Sequence, residues 1–328
     1  MLCRDADACY WIGRYVERAE ATARMVDVHF HAGLETVSMQ QESNPGRPLR
    51  WQSILTISGS LDDFRQRYRE ETDRNVLYFF AFDTENPNSI LSTWTKAREN
   101  ARAIREQISS EMWESLNTSY HAFQRWDVDR ILADSPHAFF QEVKNASHLF
   151  QGILNRTMMM GETREWLDTG RFLERGGQTA RLLDVKCQDM LPALSLTSAT
   201  MPALSDLVQV YSWMAALRSV SALEMYRKTY RDGIQPAHVV EFLVLNAQLP
   251  ASVRHCIERV ETCLRRISGN QSGEPMTWPE RLLGRLRADL TYTRPEEIMQ
   301  GGLHAFLQDV QNRCAEIGNA ITHTYLSY

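Results

Sequence analysis

GRYVER, at residues 13–18, and GRFLER, at residues 170–175, place the same glycine, arginine and Glu-Arg pair 157 positions apart in one chain. Around them Gly13, Arg14, Glu17, Arg18, Thr22, Ala23, Arg24, Asp27 and Val28 recur as Gly170, Arg171, Glu174, Arg175, Thr179, Ala180, Arg181, Asp184 and Val185. Further matches follow in the same order. Trp51, Leu55, Phe64, Arg65, Tyr68 and Arg69 answer to Trp213, Leu217, Tyr226, Arg227, Tyr230 and Arg231 at a shift of 162. DTENPNSI (83–90) aligns with NAQLPASV (246–253) at 163, and HAFFQEVKN (137–145) with HAFLQDVQN (304–312) at 167. Small insertions in a second copy produce such a growing shift. An internal duplication sets the architecture before any local reading. Residues 1–161 are read as one repeat and 162–328 as the other, with the join near Gly161. No Pro/Gly/Ser-rich linker marks that join, and LNRTMMMGETREWLDTGRFLER reads as helix almost without a break. The halves are therefore expected to pack as one body. Two similar halves in contact are expected to relate by an approximate two-fold axis, as identical subunits do.

The period along the chain is helical. Ile12, Tyr15, Val16, Ala19, Ala23, Val26 and Phe30 follow i, i+3, i+4 spacing and share one face. LVQVYSWMAALRSVSALEMYRKTYR (207–231) is apolar on more than one side and reads as a single, more buried helix. Asp83 and Asn246 precede short turns. Pro87 and Pro250 are placed in the first turn of a new helix, where proline lacks only an N–H that would have no partner. PGRP (45–48) and SGNQSGEP (268–275) read as loops. Strand-like alternation is absent. The expected fold is all-α, a helical bundle of two tandem pseudo-symmetric repeats.

A chain of 328 residues with 43% hydrophobic and 23% charged side chains has the balance of a soluble globular protein. Its net charge of −5, without a basic arm, argues against nucleic acid, whose binding needs clustered Lys and Arg. Six cysteines without a C-x-x-C pair are too few for a disulfide framework and read as reduced thiols. No apolar run reaches the length of a membrane span, and charges interrupt the start where a signal peptide is apolar. A cytoplasmic protein is expected.

On a helix, Gly13, Glu17 and Arg24 fall within about 40° of one another, opposite the apolar stripe. Glycine inside a helix costs roughly 1 kcal/mol against alanine, so a close backbone approach is expected there. Two arrangements fit these residues. Each glutamate could pair with an arginine of the other repeat, since arginine and carboxylate suit a two-pronged bond. Alternatively a polar cavity could use the arginines to hold a carboxylate or phosphate. Arg14, Glu17, Arg18, Arg24, Arg171, Glu174, Arg175 and Arg181 are the candidates for that anion site.

The copies differ at ARENARAIREQISSEMWESLN (97–117), read as one charged helix. Its counterpart near 260–280 keeps Trp278 for Trp113 but lacks the Arg-rich run. Arg98, Glu99, Asn100, Arg102 and Arg105 are therefore candidate partner-binding residues, with a solvated helix face as the plainer reading. Catalytic signatures are missing: there is no G-x-S-x-G, Walker A, H-E-x-x-H or G-x-G-x-x-G. No metal or cofactor is expected, because the Glu-x-x-His motif of di-iron bundles is absent. His137 and His304 read as helix caps or packing residues.

ACYWIGRYVERAEATARMVD, ARENARAIREQISSEMWESLN, WLDTGRFLERGGQTARLLD and LRSVSALEMYRKTY followed by LPASV together resemble the alpha-E domain proteins, bacterial helical proteins named for their Glu-Arg motif. The resemblance covers nearly the whole chain. One departure is Gly176, where members usually have alanine; Glu174 and Arg175 are intact. The resemblance implies a protein encoded beside, or fused to, a circularly permuted ATP-grasp protein, often with a transglutaminase-like protein. ATP-grasp enzymes join a carboxylate to an amine through an acyl-phosphate. The implied role is a helical partner subunit of an amide or peptide ligase system, binding the ligase or presenting its peptide or amino-acid substrate. A peptide-modifying enzyme with a Glu/Arg cavity, and a non-catalytic scaffold with structural Glu-Arg pairs, are the alternatives. The missing catalytic motifs favour a non-catalytic role.

Overall fold

The computed structural model describes residues 1–39, 49–197, 202–270 and 274–327. The loop read at 45–48 lies outside them, as do residues 271–273 of the loop read at 268–275. Among the described residues there are sixteen α-helices and no strand. The first eight are α1 (Cys3–Met39), α2 (Leu49–Ile57), α3 (Leu61–Arg67), α4 (Asp73–Ala81), α5 (Ile90–Ala103), α6 (Ser110–Phe123), α7 (Val128–Ala133) and α8 (Pro136–Thr157). The next eight are α9 (Glu162–Thr197), α10 (Pro202–Ser219), α11 (Leu223–Thr229), α12 (Pro236–Val240), α13 (Val253–Ser268), α14 (Trp278–Tyr292), α15 (Pro295–Gly301) and α16 (Leu303–Ile321). A π-helical turn follows α12 at Glu241–Leu245, and another follows α16 at Thr322–Leu326.

Helices α1 and α9, of 37 and 36 residues, form the most extensive helix pair in the fold. Helix α1 buries Ile12, Val16, Ala19, Ala23 and Val26 in the core, with Tyr15 and Phe30 half-buried beside them. Its opposite face is not solvated as a polar face usually is. Gly13 and Glu17 lie against α9, so the helix is enclosed on both sides. Several side chains matched in the sequence make similar contacts, though not always with matched partners: Trp51 donates to Asp73, and Trp213 does not repeat that bond. Trp51 and Trp213 are both buried, and the Phe64–Tyr68 and Tyr226–Tyr230 ring pairs each have centroids 4.9 Å apart. The Tyr68 hydroxyl donates to Asp83 and that of Tyr230 to Glu241, each at 3.0 Å.

Four local expectations are corrected, three of them where helical periodicity runs through a break. The join is a turn: α8 ends at Thr157, Met158 is extended, and α9 begins at Glu162. The run 97–117 is two helices, because Ser109 caps α6 by accepting the Met112 N–H at 3.3 Å. Pro87 and Pro250 precede their helices, which start instead at capping serines. Ser89 accepts from the Ser92 N–H at 3.1 Å, and Ser252 from the His255 N–H at 3.1 Å. The stretch 207–231 is also divided, into α10 and α11, by Ser221 at φ 54°. Gly59 holds the matching place between α2 and α3 at φ 67°, the left-handed region that suits glycine.

Candidate functional site

The site starts from two glycines. A Cβ on Gly13 would lie 2.1 Å from the Leu167 carbonyl oxygen, and one on Gly170 would lie 2.0 Å from that of Tyr10. Leu167 follows Tyr10 by the same 157 residues that separate the glycines, so one contact is made twice. Helices α1 and α9 touch backbone to backbone.

One turn further on, the glutamates exchange partners. The Arg175 guanidinium grips Glu17 with two bonds, Nε to Oε1 at 2.6 Å and Nη2 to Oε2 at 2.7 Å. Arg18 grips Glu174 likewise, Nε to Oε1 at 2.7 Å and Nη2 to Oε2 at 3.0 Å. Both carboxylates are buried. The reciprocity stops there. Arg14 also donates to Glu174, at 2.8 Å, and to the Tyr10 hydroxyl, at 3.0 Å. Its counterpart Arg171 turns instead to Asp168, at 2.7 Å, and over the Phe172 ring. Leu167 has no hydroxyl to orient it as Tyr10 orients Arg14. Burial opposes ionisation of Glu174, but Arg18 and Arg14 outweigh it and hold the carboxyl far below its ordinary range. Burial instead raises the Glu17 carboxyl, against the pull of Arg175 and of the more distant Arg171 and with Glu20 adding to the rise.

The pairs separate two clefts. The first, about 290 Å³, is lined by Arg14, Arg18, Arg181, Glu174, Gln178 and Asn88 among others. Three arginines against one glutamate leave it with two excess positive charges. The second, about 320 Å³, is lined by Glu17, Glu20, Arg24, Arg175, His148 and Gln151, with apolar walls including Leu182 and Leu249. Two glutamates balance its two arginines. The candidate residues thus gather here except Arg171, which lines neither cleft. The other candidates, Arg98, Glu99, Asn100, Arg102 and Arg105, sit away from both, on α5 and the turn after it. Arg98 stacks on Tyr120 and Arg105 on Trp113, each at 4.7 Å, while Arg102 reaches Glu99 at 3.7 Å.

Glu20 organises the second cleft. It accepts two bonds from Arg24, at 2.9 and 2.7 Å, and further bonds from Ser147 and Gln151. Arg24 also reaches His148 and the Ser221 hydroxyl, which the left-handed backbone at Ser221 presents. Burial opposes ionisation of Glu20, but His148, Arg24 and Ser147 outweigh it and bring the carboxyl down to about 2. A carboxyl lowered in the fold stabilises it above the unfolded value near 4.5 and loses that contribution as pH falls toward 2. The contribution is on the order of 3 kcal/mol. Glu20→Gln should therefore remove about that much of the stability change between pH 5 and pH 2. Urea unfolding across this range measures it, and equal acid slopes in the two proteins would count against the assignment.

His137 and His304, read as caps or packing residues, tie neighbouring helices together: they bond to Asp27 at 3.0 Å and Asp184 at 2.5 Å, joining α8 to α1 and α16 to α9. No group of metal-holding residues occurs among the described residues. Glu20, Asn88, His148 and Gln178, which also line the clefts, are not among the repeated residues. Only the departure from repetition could have marked them: Gln178 stands opposite Ala21, and Glu20 opposite Gly177. Cys3, Cys9, Cys256, Cys263 and Cys314 are free thiols. No helix among the described residues is long and apolar enough to cross a membrane.

An all-α protein whose two longest helices meet through paired glycines and reciprocal Glu-Arg forks is defined by its ER motif. The chain belongs to the Alpha-E family, described as a predicted alpha-helical domain with a conserved ER motif, whose model matches residues 1–326. An uncharacterised protein of Mycobacterium bovis is 25% identical over 332 residues, covering 92% of this chain and 35% of the relative. Uncharacterised proteins of two Mycobacterium tuberculosis strains, CDC 1551 and H37Rv, are 25% and 24% identical with the same coverage. The chain thus spans about a third of the length of the curated relatives it matches. No solved structure matches it.

Proposed function

We propose that this protein is a helical, non-catalytic partner subunit of an ATP-grasp amide or peptide ligase system, presenting a peptide or amino-acid substrate to the ligase. One observation carries the reading: the Glu-Arg contact opens into a concave cleft with more arginine than carboxylate, and burial pushes the thiol that lines it, Cys314, up to about 12. Such a cleft suits holding a substrate carboxylate rather than transforming it. The family resemblance supplies the ligase as partner, and a transglutaminase-like protein as a further associate. In the mycobacterial relatives the matched stretch is about a third of a longer polypeptide, which suits a module working beside other domains. A cytoplasmic setting, where ATP is available, fits the same reading.

The charged segment of α5 is the proposed ligase contact. Arg102 is well exposed, and Arg105 lies over Trp113 at the end of the same segment. Reversing both in Arg102→Glu and Arg105→Glu should weaken co-purification with the ATP-grasp protein at least tenfold. The melting temperature should hardly change, because exposed charges contribute about 0–1 kcal/mol to stability. Retention of the complex by the double variant would exclude this surface, and failure of the native pair to associate would exclude the partnership.

A second reading, catalysis by this chain, has one observation in its favour. Glu17 and Glu20 share a cleft with His148, and their carboxyls are displaced in opposite directions, as in acid-base pairs. Turnover of a peptide substrate by the isolated protein, abolished in Glu20→Gln, would establish it.

A further inference from the structure

Arg181 is the conspicuous side chain of the first cleft. Half-buried and close to Glu174, Arg14 and Arg18, it makes no hydrogen bond or ion pair among the described residues. Its counterpart Arg24 is saturated. The difference lies one helical turn earlier, where α1 carries Glu20 and α9 carries Gly177 at the matching position. Glu20 delivers a carboxylate to Arg24 through an i, i+4 pair. Gly177 delivers nothing, and a Cβ built there meets no atom within 4 Å. The first cleft has the guanidinium and the space but lacks the carboxylate.

We propose that the first cleft is a carboxylate-binding site, in which a ligand carboxylate takes the place beside Gly177 that the Glu20 side chain takes beside Arg24. This rests on the reading of the protein as a substrate-presenting subunit and specifies which cleft, which group and which residues. Arg181 is the primary ligand, able to offer a two-pronged bond as Arg24 does to Glu20. Arg14 and Arg18 remain on Glu174 and add attraction at longer range. Glu174 orients both and repels a second negative charge, favouring a singly charged carboxylate over phosphate. Asn88 and Gln178 line the remaining space, where the amide or side chain of an amino acid or short peptide fits. The second cleft, with Glu20 in residence, does not take the same ligand.

Isothermal titration with N-acetylglycine and with the dipeptide Gly-Ala tests the two sources, a single amino-acid unit and a peptide end. Glycinamide and Gly-Ala amide serve as controls, with inorganic phosphate as the competing anion. Binding of at least one carboxylate probe is expected, with both amides inert. Arg181→Gln should weaken it roughly tenfold or more, the loss expected for a charge-assisted bond. Gly177→Glu should abolish it while leaving the melting temperature unchanged or higher, since it completes an i, i+4 pair. Loss in Arg181→Gln with retention in Gly177→Glu would overturn the proposed position. Equal binding of the amides, tighter binding of phosphate, or no binding of any carboxylate would overturn the ligand class. Neither result depends on association with a ligase, so the two proposals fail separately.

Discussion

Gly13→Ala should destabilise the fold by about 3 kcal/mol or more, and Gly170→Ala by a similar amount. Extra methyl groups in packed interiors usually cost about 1–3 kcal/mol because neighbouring side chains shift aside. Here the neighbour is a backbone carbonyl at 2.1 or 2.0 Å, which can move only if α1 and α9 part along their contact. Their parting also stretches the Glu17–Arg175 and Glu174–Arg18 forks one turn away. The roughly 1 kcal/mol that alanine gains as a helix former offsets only part of this. Gly177→Ala is the internal control: with open space around its Cβ it should be neutral or up to about 1 kcal/mol more stable. Urea unfolding of the three variants gives the comparison. Two contact variants no less stable than the control would remove the close approach from the account.

The second large effect is at the glutamates. Glu174→Gln keeps the shape of the side chain but leaves Arg14 and Arg18 without their counter-charge. Breaking one partner out of a buried pair costs roughly 3–5 kcal/mol. Glu17→Gln should cost less, because Glu17 answers one arginine, shares its surroundings with Glu20 and is already raised by burial. Both effects should be present without any ligand. Loss of stability that appears only when a carboxylate is bound would assign the glutamates to the site rather than to the fold.

Much of this arrangement was legible in the sequence, for identifiable reasons. A helix gains nothing from glycine in its interior, so Gly13 and Gly170 pointed to a close approach, while the neighbouring Glu and Arg left two arrangements open, exchanged pairs or an anion-holding cavity. The i, i+3, i+4 pattern from Ile12 to Phe30 gave the buried face of α1. Periodicity was a poor guide to where helices stop. Capping by Ser109 and the left-handed turn at Ser221 are single-residue events inside stretches that remain apolar in helical register. The direction of Arg171 was hidden for another reason. Two differences between the copies go with it: Tyr10, whose hydroxyl accepts from Arg14, stands opposite Leu167, and Asp168, which takes Arg171, stands opposite Trp11. The cleft chemistry lay in the mismatches between copies, Glu20 against Gly177 and Gln178 against Ala21. A search for agreement passes over such positions.

The repeated ER motif locks α1 against α9 through the paired glycines and the two Glu-Arg forks. Double-mutant cycles over Glu17 with Arg175, and over Glu174 with Arg18, measure the lock directly. Each single and double variant carries Gln for Glu and Met for Arg, and unfolding free energies are compared at neutral pH. The account predicts a coupling energy of about 2–3 kcal/mol at each pair, the upper range for residues in contact. Couplings below about 0.5 kcal/mol, the level of independent sites, would contradict it.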